Sequence, residues 1–203
     1  MSEVVAFEYV TLDGVMQAPG RPDEDTRGGF EHGGWAHRYM DPVLEGMAAE
    51  GQARTGALLF GRRTYQDFLG FWPNQPEPNP FREVLSRTRK YVASTTLEEP
   101  LPWENSILLE GDAADAVAGL REEPGGDLVI LGSGELVRSL ARRDLIDRYV
   151  LSICPIVLGT GRRLFDGGLP PAELRLAGTR TSTTGVVVAT YERVRAGGGG
   201  AAA

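Results

Sequence analysis

The stretch Asp127–Phe165, DLVILGSGELVRSLARRDLIDRYVLSICPIVLGTGRRLF, predicts a strand, a helix and a second strand in succession. The apolar run Leu128–Leu131 is typical of a buried strand, and it ends at the turn Gly132-Ser133-Gly134. Leucine and valine side chains then recur at helical spacing up to Leu145, and the apolar run Tyr149–Leu158 follows. This is the pattern of one βαβ unit with a glycine turn before its helix.

A glycine turn between a strand and a helix can have a binding role. It gathers backbone N–H groups and the positive end of the helix dipole at one point, which suits a phosphate group. The same glycines can also serve only to let the chain turn, and a single Gly-x-Gly favours that simpler interpretation. The turn indicates a ligand only if other strand ends meet it.

The length and composition indicate one globular unit. A chain of 203 residues with 41% hydrophobic residues can bury one good core, so we predict a single domain over residues 1–195. The end of the chain, AGGGGAAA at residues 196–203, has almost nothing to pack. It predicts a disordered tail or an artificial addition.

Charge and cysteine content exclude several kinds of partner. The net charge of −7 argues against a basic face for nucleic acid, although one basic pocket can still hold a nucleotide. The single cysteine, Cys154, lies in an apolar run, so neither a disulfide within the chain nor a cysteine-based metal site is expected. No leader and no apolar run of about 20 residues is visible, so we expect a soluble, cytoplasmic protein without membrane contacts.

Strand and helix signals alternate along the rest of the chain. The further predicted strands are Val4–Thr11, Ala57–Phe60, Tyr91–Thr95, Ser106–Leu109, a short one ending at Leu164, Glu173–Thr179 and Gly185–Arg195. The further predicted helices are one capped by Asp41 and running to about Arg54, one through Phe68 and Leu69, Phe81–Ser86 and Ala113–Leu120. This order indicates an α/β fold with a mostly parallel sheet and an antiparallel C-terminal edge.

Polar residues follow several of these strands. The polar strand ends are Gly61-Arg62-Arg63-Thr64, Ser94-Thr95 and Gly132-Ser133-Gly134-Glu135. Ligands bind outside the carboxyl ends of strands in such sheets, so the three ends together predict a dinucleotide site. The planar fork of arginine suits a ribose 2′-phosphate. Taken alone, Arg62 and Arg63 are more simply interpreted as solvated charges at a helix end.

A long loop, Gly14–Gly34, follows the first strand and is rich in glycine, proline and charged residues. A loop of that length in a compact domain is typical of a lid, and Phe30 and Trp35 give it apolar surface to place against a ligand. In the alternative interpretation, Trp35 only anchors the following helix to the core.

The ordered set of motifs resembles the dihydrofolate-reductase-like superfamily, and within it the branch of the C-terminal reductase domain of the riboflavin biosynthesis protein RibD. The motifs are TLDGVMQAPG, GGFEHGGWA, LLFGRRTY, KYVAST and the stretch quoted first. The resemblance implies a mixed sheet flanked by helices, NADPH as hydride donor and a small pyrimidine or pteridine-like substrate. The riboflavin-pathway substrate 5-amino-6-(5-phosphoribosylamino)uracil is the example.

The resemblance also implies site residues. It places Gly61, Arg62, Arg63 and Thr64 at the adenosine phosphate and pyrophosphate, Ser94 and Thr95 on the 2′-phosphate side, and Gly132, Ser133, Gly134, Glu135 and Leu136 at the pyrophosphate and nicotinamide ribose. Folate-reducing members carry two glycines where this chain has Gly132-Ser133. They also place an acid on the first helix, where Asp41 is the counterpart.

The candidate catalytic residues are Asp13, Asp41 and Trp35. Asp41 is more simply explained as a helix cap, and Asp13 can be explained as part of an Asp-Gly turn. His32 and His37 flank the aromatic part of the loop and can also supply a proton. Two alternatives stay open: a dihydrofolate reductase, and a ligand-binding protein that has the fold without turnover. We also expect a homodimer, because the last strand lacks the residues that protect an exposed edge.

Overall fold

Strands and helices alternate through residues 1–195, which the computed structural model describes. The strands are β1 Val4–Thr11, β2 Thr55–Gly61, β3 Arg89–Ala93, β4 Ser106–Leu109, β5 Asp127–Leu131, β6 Arg148–Cys154, β7 Leu174–Thr181 and β8 Val187–Arg193. The helices are α1 Pro42–Gln52, α2 Arg62–Phe71, α3 Pro80–Arg87, α4 Ala113–Glu122 and α5 Gly134–Arg142, with 3-10 turns at His37–Tyr39 and Trp72–Asn74. The tail predicted at residues 196–203 lies outside the described residues.

All eight strands belong to one sheet in the order β4-β3-β2-β5-β1-β6-β8-β7. The pairs from β4 to β6 are parallel, whereas β8 is antiparallel to both β6 and β7. The predicted fold class, a dihydrofolate-reductase-like α/β sheet with an antiparallel C-terminal edge, is therefore confirmed. The carboxyl ends of β3, β2, β5 and β1 lie side by side at one edge of the sheet.

The central strand β1 packs on both faces. Val4 and Ala6 belong to a core cluster with Val137 and Leu140 of α5, whereas Tyr9 packs against a second cluster that contains Leu44 of α1. Because side chains alternate along a strand, the even positions of β1 face α5 and the odd positions face α1. This alternation decides which parts of β1 can reach a ligand on either face.

Three predicted boundaries were wrong. β3 ends at Ala93, before Ser94 and Thr95, and β6 ends at Cys154 because Pro155 has no backbone N–H to donate to a neighbouring strand. The segment that ends at Leu164 forms only an isolated bridge between Val15 and Arg163. Positive φ angles at Gly159 and Gly161 keep that segment from extending into a strand.

The predicted edge strand was also wrong. β8 lies between β6 and β7, so its backbone is paired on both sides, and β7 is the edge strand. β7 carries Arg175 and Arg180, each in an ion pair with a glutamate, and its register shifts between Leu176 and Gly178. Charges and bulges of this kind protect an edge from further pairing.

The sequence predicts neither a membrane-spanning helix nor a cysteine-based metal site, and residues 1–195 can be inspected for both. Within that range no helix is long and apolar enough to cross a bilayer. No group of histidine, cysteine and acidic residues is arranged to hold a metal ion in the same range, and the Cys154 thiol is fully buried. A cytoplasmic location and the lack of nucleic-acid partners stay predictions.

Candidate functional site

Hydrogen bonds connect the three polar strand ends to one another. The backbone N–H of Gly61, the last residue of β2, donates to Ser133 Oγ, after β5, over 2.9 Å. The Arg62 guanidinium at the start of α2 donates to Thr96 Oγ1, after β3, over 2.6 Å. The ends of three adjacent strands therefore form one continuous polar edge, as the sequence predicts.

The turn after β5 is held in a conformation that few residues adopt. Gly132 and Ser133 both have positive φ angles, 64° and 66°, and α5 begins at Gly134. A Cβ on Gly134 would lie only 2.4 Å from Met16 Sδ, so this position must be glycine unless Met16 moves. The turn is thus closely packed against the loop that follows β1, with the first N–H groups of α5 at its surface.

A separate cavity of about 410 Å³ lies at the β3 and β4 end of this edge. Its polar lining consists of Arg62, Ser94, Thr95, Thr96 and Asp112. Two of these side chains already form hydrogen bonds with nearby backbone N–H groups. Ser94 Oγ accepts from the N–H groups of Thr96 and Leu97, and Asp112 caps α4. Arg62 is the cationic group of this cavity.

A larger cleft of about 2190 Å³ begins at the same edge and continues along the α1 face of the sheet. Its lining is mainly apolar and aromatic, and includes Phe7, Tyr9, Leu58, Phe68 and Phe71. Burial raises the pKa of the Tyr9 hydroxyl to about 12, so Tyr9 stays neutral near neutral pH. Such a lining suits the flat face of an aromatic ring.

The loop Gly14–Gly34 closes one side of the cleft. The Arg21 guanidinium lies 4.2 Å from the centre of the Phe71 ring and forms two hydrogen bonds with the Asp67 carboxylate, of 2.5 and 3.3 Å. Both partners belong to α2, so the loop and α2 are joined across the cleft. The loop therefore has the position of the predicted lid.

Arginines line the cleft along its whole length, and acids neutralise most of them. Within residues 1–195 the paired ones are Arg21 with Asp67, Arg27 with Asp25, Arg54 with Asp127, Arg138 and Arg162 with Glu135, Arg148 with Glu3, and Arg180 with Glu50. In that same range Arg62 and Arg63 are the lining arginines without an acidic partner. The free positive charge of the cleft is therefore concentrated at the β2–α2 turn.

One buried acid of the cleft lacks a hydrogen bond. Glu8, in the middle of β1, lines the cleft and is only 2% exposed, and its Oε1 has no partner among the described residues. Burial raises the pKa of this carboxyl well above its usual range. A buried polar atom without a partner is rare in proteins and costs stability.

Comparison with known proteins identifies the family. A family model described as the RibD C-terminal domain matches residues 2–188. The chain belongs to the RibD C-terminal domain family. The uncharacterized protein YyaP of Bacillus subtilis (strain 168) is 29% identical over 186 residues, which are 90% of this chain and 90% of YyaP.

Solved structures extend the likeness of this RibD C-terminal domain. A protein of Shewanella sp. PV-4, provisionally named a riboflavin biosynthesis protein, is 26% identical with a TM-score of 0.73, covering 96% of this chain and 100% of that one. A pyrimidine reductase-like protein of Corynebacterium diphtheriae is 16% identical with a TM-score of 0.64, covering 96% and 93%. Dihydrofolate reductase of Enterococcus faecalis, solved with NADP(H), is 13% identical with a TM-score of 0.57, covering 94% and 96%, and shows the shared fold.

The candidate catalytic acids of this RibD C-terminal domain have structural partners. Asp13 accepts from Thr11 Oγ1 over 2.6 Å and from Gly159 N over 2.9 Å, and these bonds lower its pKa to about 2. Asp41 caps α1 and accepts from the hydroxyl and N–H of Thr183, which lowers its pKa as well. Neither acid is among the residues that line the cleft, so a role for either in proton donation stays an untested hypothesis.

The other proposed residues are divided between core, surface and cleft. Trp35 is 5% exposed, packs in the cluster of α1 and donates from Nε1 to the carbonyl of Gln17 over 2.8 Å. Leu136 packs in the core and also lines the cleft, and Glu135 is exposed and paired with Arg138 and Arg162. Of the two histidines, His37 lines the cleft and His32 does not.

Sequence reasoning missed three residues of the site. Thr96 follows a predicted strand that in fact ends earlier, and Arg21 is one of many charged residues in the loop. For Glu8 a signal exists: it replaces an apolar residue in the alternating series Val4, Ala6, Glu8 and Val10 on the α5 face of a central strand. A buried carboxyl at such a position lowers stability unless it has a hydrogen-bond partner.

Proposed function

We propose that this protein is an NADPH-dependent reductase of a small heterocyclic compound. The observation that carries this proposal is the continuous polar edge made by three adjacent strand ends, with Arg62 and Arg63 as the lining arginines that lack acidic partners in residues 1–195. A ligand with several phosphates along its length matches such an edge. Membership of a reductase family supports the same reading.

The residues present fit the parts of NADPH. Arg62 and Thr96 line the cavity after β3 and suit a ribose 2′-phosphate, whereas the turn Gly132-Ser133-Gly134 and the start of α5 suit the pyrophosphate. When bound, the nicotinamide supplies a hydride to the substrate. The protein must then bind both molecules face to face, exclude water and deliver one proton.

The aromatic part of the cleft is the proposed substrate compartment. Phe7, Tyr9 and Phe71 offer flat apolar surface between α1 and α2, and the Arg21–Asp67 contact holds the loop over it. Closing the loop excludes water from the reacting atoms. Among the proton donors named from the sequence, His37 is the one that lines the cleft, and we assign this role to it.

The charge of the compartment favours an uncharged ring. The riboflavin-pathway substrate implied by the resemblance is a pyrimidine that carries a ribose phosphate. The arginines around the α1 face, Arg54, Arg148 and Arg180, are already paired with acids. A phosphate there would have to compete with those acids for each guanidinium. We therefore propose a pyrimidine or pteridine-like ring and expect its unphosphorylated form to bind at least as well as the phosphorylated one.

The proposal is tested by binding and turnover together. Calorimetry with NADPH measures binding, and loss of the reduced-nicotinamide absorbance is followed with a panel of pyrimidines and pteridines that includes dihydrofolate and phosphorylated and unphosphorylated pairs. NADPH binding with turnover of a panel member supports the proposal, and turnover of dihydrofolate alone supports the folate alternative. NADPH binding without turnover of any member favours the ligand-binding alternative, and a protein that does not bind NADPH contradicts both reductase proposals.

We also propose a homodimer, through the faces of the ribbon formed by β7 and β8 and not through an open edge of the last strand. β7 is exposed on both faces, and Leu176, Val187 and Val194 are exposed apolar residues of the β7–β8 ribbon and its end. A second copy that covers this ribbon would remove that apolar surface from water. Light scattering at micromolar concentration tests the proposal, and an L176E variant that becomes monomeric while the wild type is dimeric locates the interface.

A further inference from the structure

The pairing of the central strands leaves an opening next to Glu8. β1 pairs with β5 only as far as Phe7 and Leu131, whereas its pairing with β6 continues to Thr11. The chain leaves the sheet at Gly132, so β1 and β5 separate there and the glycine turn forms the rim of the gap. Glu8 is the first residue of β1 beyond the last pair.

The Glu8 side chain lies on the α5 side of this opening. Ala6 and Val10, two positions away on either side, both belong to the core cluster that contains Leu136 of α5. Glu8 shares their face of the strand, lines the cleft and is 2% exposed. The Glu8 side chain is therefore on the α5 side of the cleft, at the point where β1 and β5 separate.

The Glu8 carboxyl lacks a hydrogen bond among the described residues. Oε1 of Glu8 has no hydrogen-bond partner within residues 1–195. Arg138, the basic residue of α5 that lines the cleft, already donates to the Glu135 carboxylate over 2.7 Å and to the Arg163 carbonyl over 2.9 Å. A carboxyl without a partner destabilises the empty protein, so a donor from a ligand would recover the lost hydrogen bond.

The order of the strands decides which part of the ligand reaches Glu8. The cavity with Arg62 lies at the β3 and β4 end of the polar edge, and the strands continue from there as β2, β5 and β1. A dinucleotide with its 2′-phosphate at Arg62 and its pyrophosphate at the glycine turn directs its nicotinamide end to the gap between β5 and β1. The carboxamide of that ring carries an N–H donor.

We propose that Glu8 accepts a hydrogen bond from the carboxamide N–H of the nicotinamide and thereby binds the reactive end of the cofactor. This inference rests on the proposed use of NADPH. Glu8 is then a residue that this chain uses to position the ring at the gap, in addition to the phosphate contacts. Without ligand, the unsatisfied carboxyl lowers the stability of the protein. The cofactor supplies the missing hydrogen bond when it binds.

The test is calorimetry with three ligands on the wild type, E8Q and E8L. The ligands are NADP⁺, its 3-acetylpyridine analogue, which has a methyl group in place of the carboxamide nitrogen, and 2′,5′-ADP, which lacks the nicotinamide. We expect the wild type to bind NADP⁺ roughly tenfold or more tightly than the analogue, E8L to lose this preference, and E8Q, which keeps an acceptor oxygen, to retain part of it. Affinity for 2′,5′-ADP should be the same in all three proteins.

Thermal unfolding of E8L and a control variant test the role of Glu8 further. E8L should unfold at a higher temperature than the wild type without ligand, because an apolar side chain of similar size replaces an unsatisfied acid. E192Q, at a half-buried glutamate of β8 that pairs with Arg175 of β7, is the control and should match the wild type with every ligand. An E8L protein that keeps the full preference for NADP⁺, or a wild type that binds both dinucleotides equally, overturns the role of Glu8 alone. A wild type that binds none of the three ligands overturns the proposed function as well.

Discussion

The backbone N–H of Gly61 donates to Oγ of Ser133 over 2.9 Å, and this bond joins the ends of two neighbouring strands, β2 and β5. The backbone of Ser133 has a φ angle of 66°, in the left-handed region that favours glycine, and in this conformation its hydroxyl reaches Gly61. The bond and the unusual backbone occur at the point where the proposed pyrophosphate lies. The two turns therefore have a fixed spacing before any ligand binds.

Replacing Ser133 tests whether this spacing contributes to binding. S133A should lower the unfolding free energy by about 1–2 kcal/mol, because the Gly61 N–H loses its partner, and should weaken NADPH binding. S133G also loses the bond but relieves the positive φ angle, so its stability should lie above that of S133A. Denaturant unfolding and calorimetry measure the two effects.

The matched control is S106A. Ser106 Oγ on β4 is buried and has no hydrogen-bond partner in the described part of the chain, so its removal should leave stability unchanged or slightly raised and NADPH binding unaltered. If S133A bound NADPH as tightly as S106A does, the hydrogen bond between the turns would have no part in cofactor binding.

Much of the fold could be predicted from local sequence patterns. The range of β1, the cap at Asp41 and the βαβ unit around β5 were predicted because each depends on neighbouring residues: an apolar run, an Asp-Pro pair, or a glycine turn. The end of β6 was misplaced because Ile156 to Leu158 is as apolar as a strand, although Pro155 stops the pairing. The position of β8 inside the sheet depends on long-range pairing that no local pattern contains.

Some features of the candidate site could likewise be predicted from local sequence, whereas others depend on long-range contacts. The turns at Gly61 and Gly132 were predicted because glycine after an apolar run is visible in one sequence. The structural roles of Asp13 and Trp35 depend on residues far away in the chain, Gly159 for the first and the α1 cluster for the second. The unsatisfied oxygen of Glu8 is a property of the packed structure, since only the fold shows that no donor within residues 1–195 reaches it.

Arg62 should determine the choice between NADPH and NADH. The wild type should prefer NADPH by roughly tenfold or more, because the Arg62 guanidinium offers charge-assisted bonds to a 2′-phosphate. R62Q should lose most of this preference through weaker NADPH binding, with little change for NADH. R63Q is the comparison, since Arg63 is exposed and adjacent and should have the smaller effect. Calorimetry that returned equal dissociation constants for the two cofactors in the wild type would refute the assignment of Arg62.

Trp35 distinguishes an anchor from a lid. W35A should lower the unfolding free energy by about 3–5 kcal/mol, as for other buried aromatic residues cut to alanine, and the melting temperature by several degrees. If Trp35 is an anchor, turnover per folded molecule should be normal. If it closes over the ligand, turnover should fall much more than NADPH binding weakens. W35F is the control, because it keeps most of the packing and loses only the bond to the Gln17 carbonyl.

Asp13 should make stability depend on pH in acid. Its pKa is lowered to about 2 by the Thr11 hydroxyl and by the N–H groups of Gly159 and Leu158, whereas an unfolded aspartate titrates near 3.8. The stabilisation is therefore complete above about pH 4 and is lost as the pH falls through about 2. D13N should be less stable than the wild type near neutral pH by roughly 1–3 kcal/mol, because it replaces a charged acceptor of several hydrogen bonds. Urea unfolding at a series of pH values should show this difference shrinking between pH 4 and 2, while E110Q, at an exposed residue, follows the wild type throughout. A difference that stayed constant down to pH 2 would mean that the ionised carboxylate of Asp13 does not stabilise the contact between the end of β1 and the segment at Gly159.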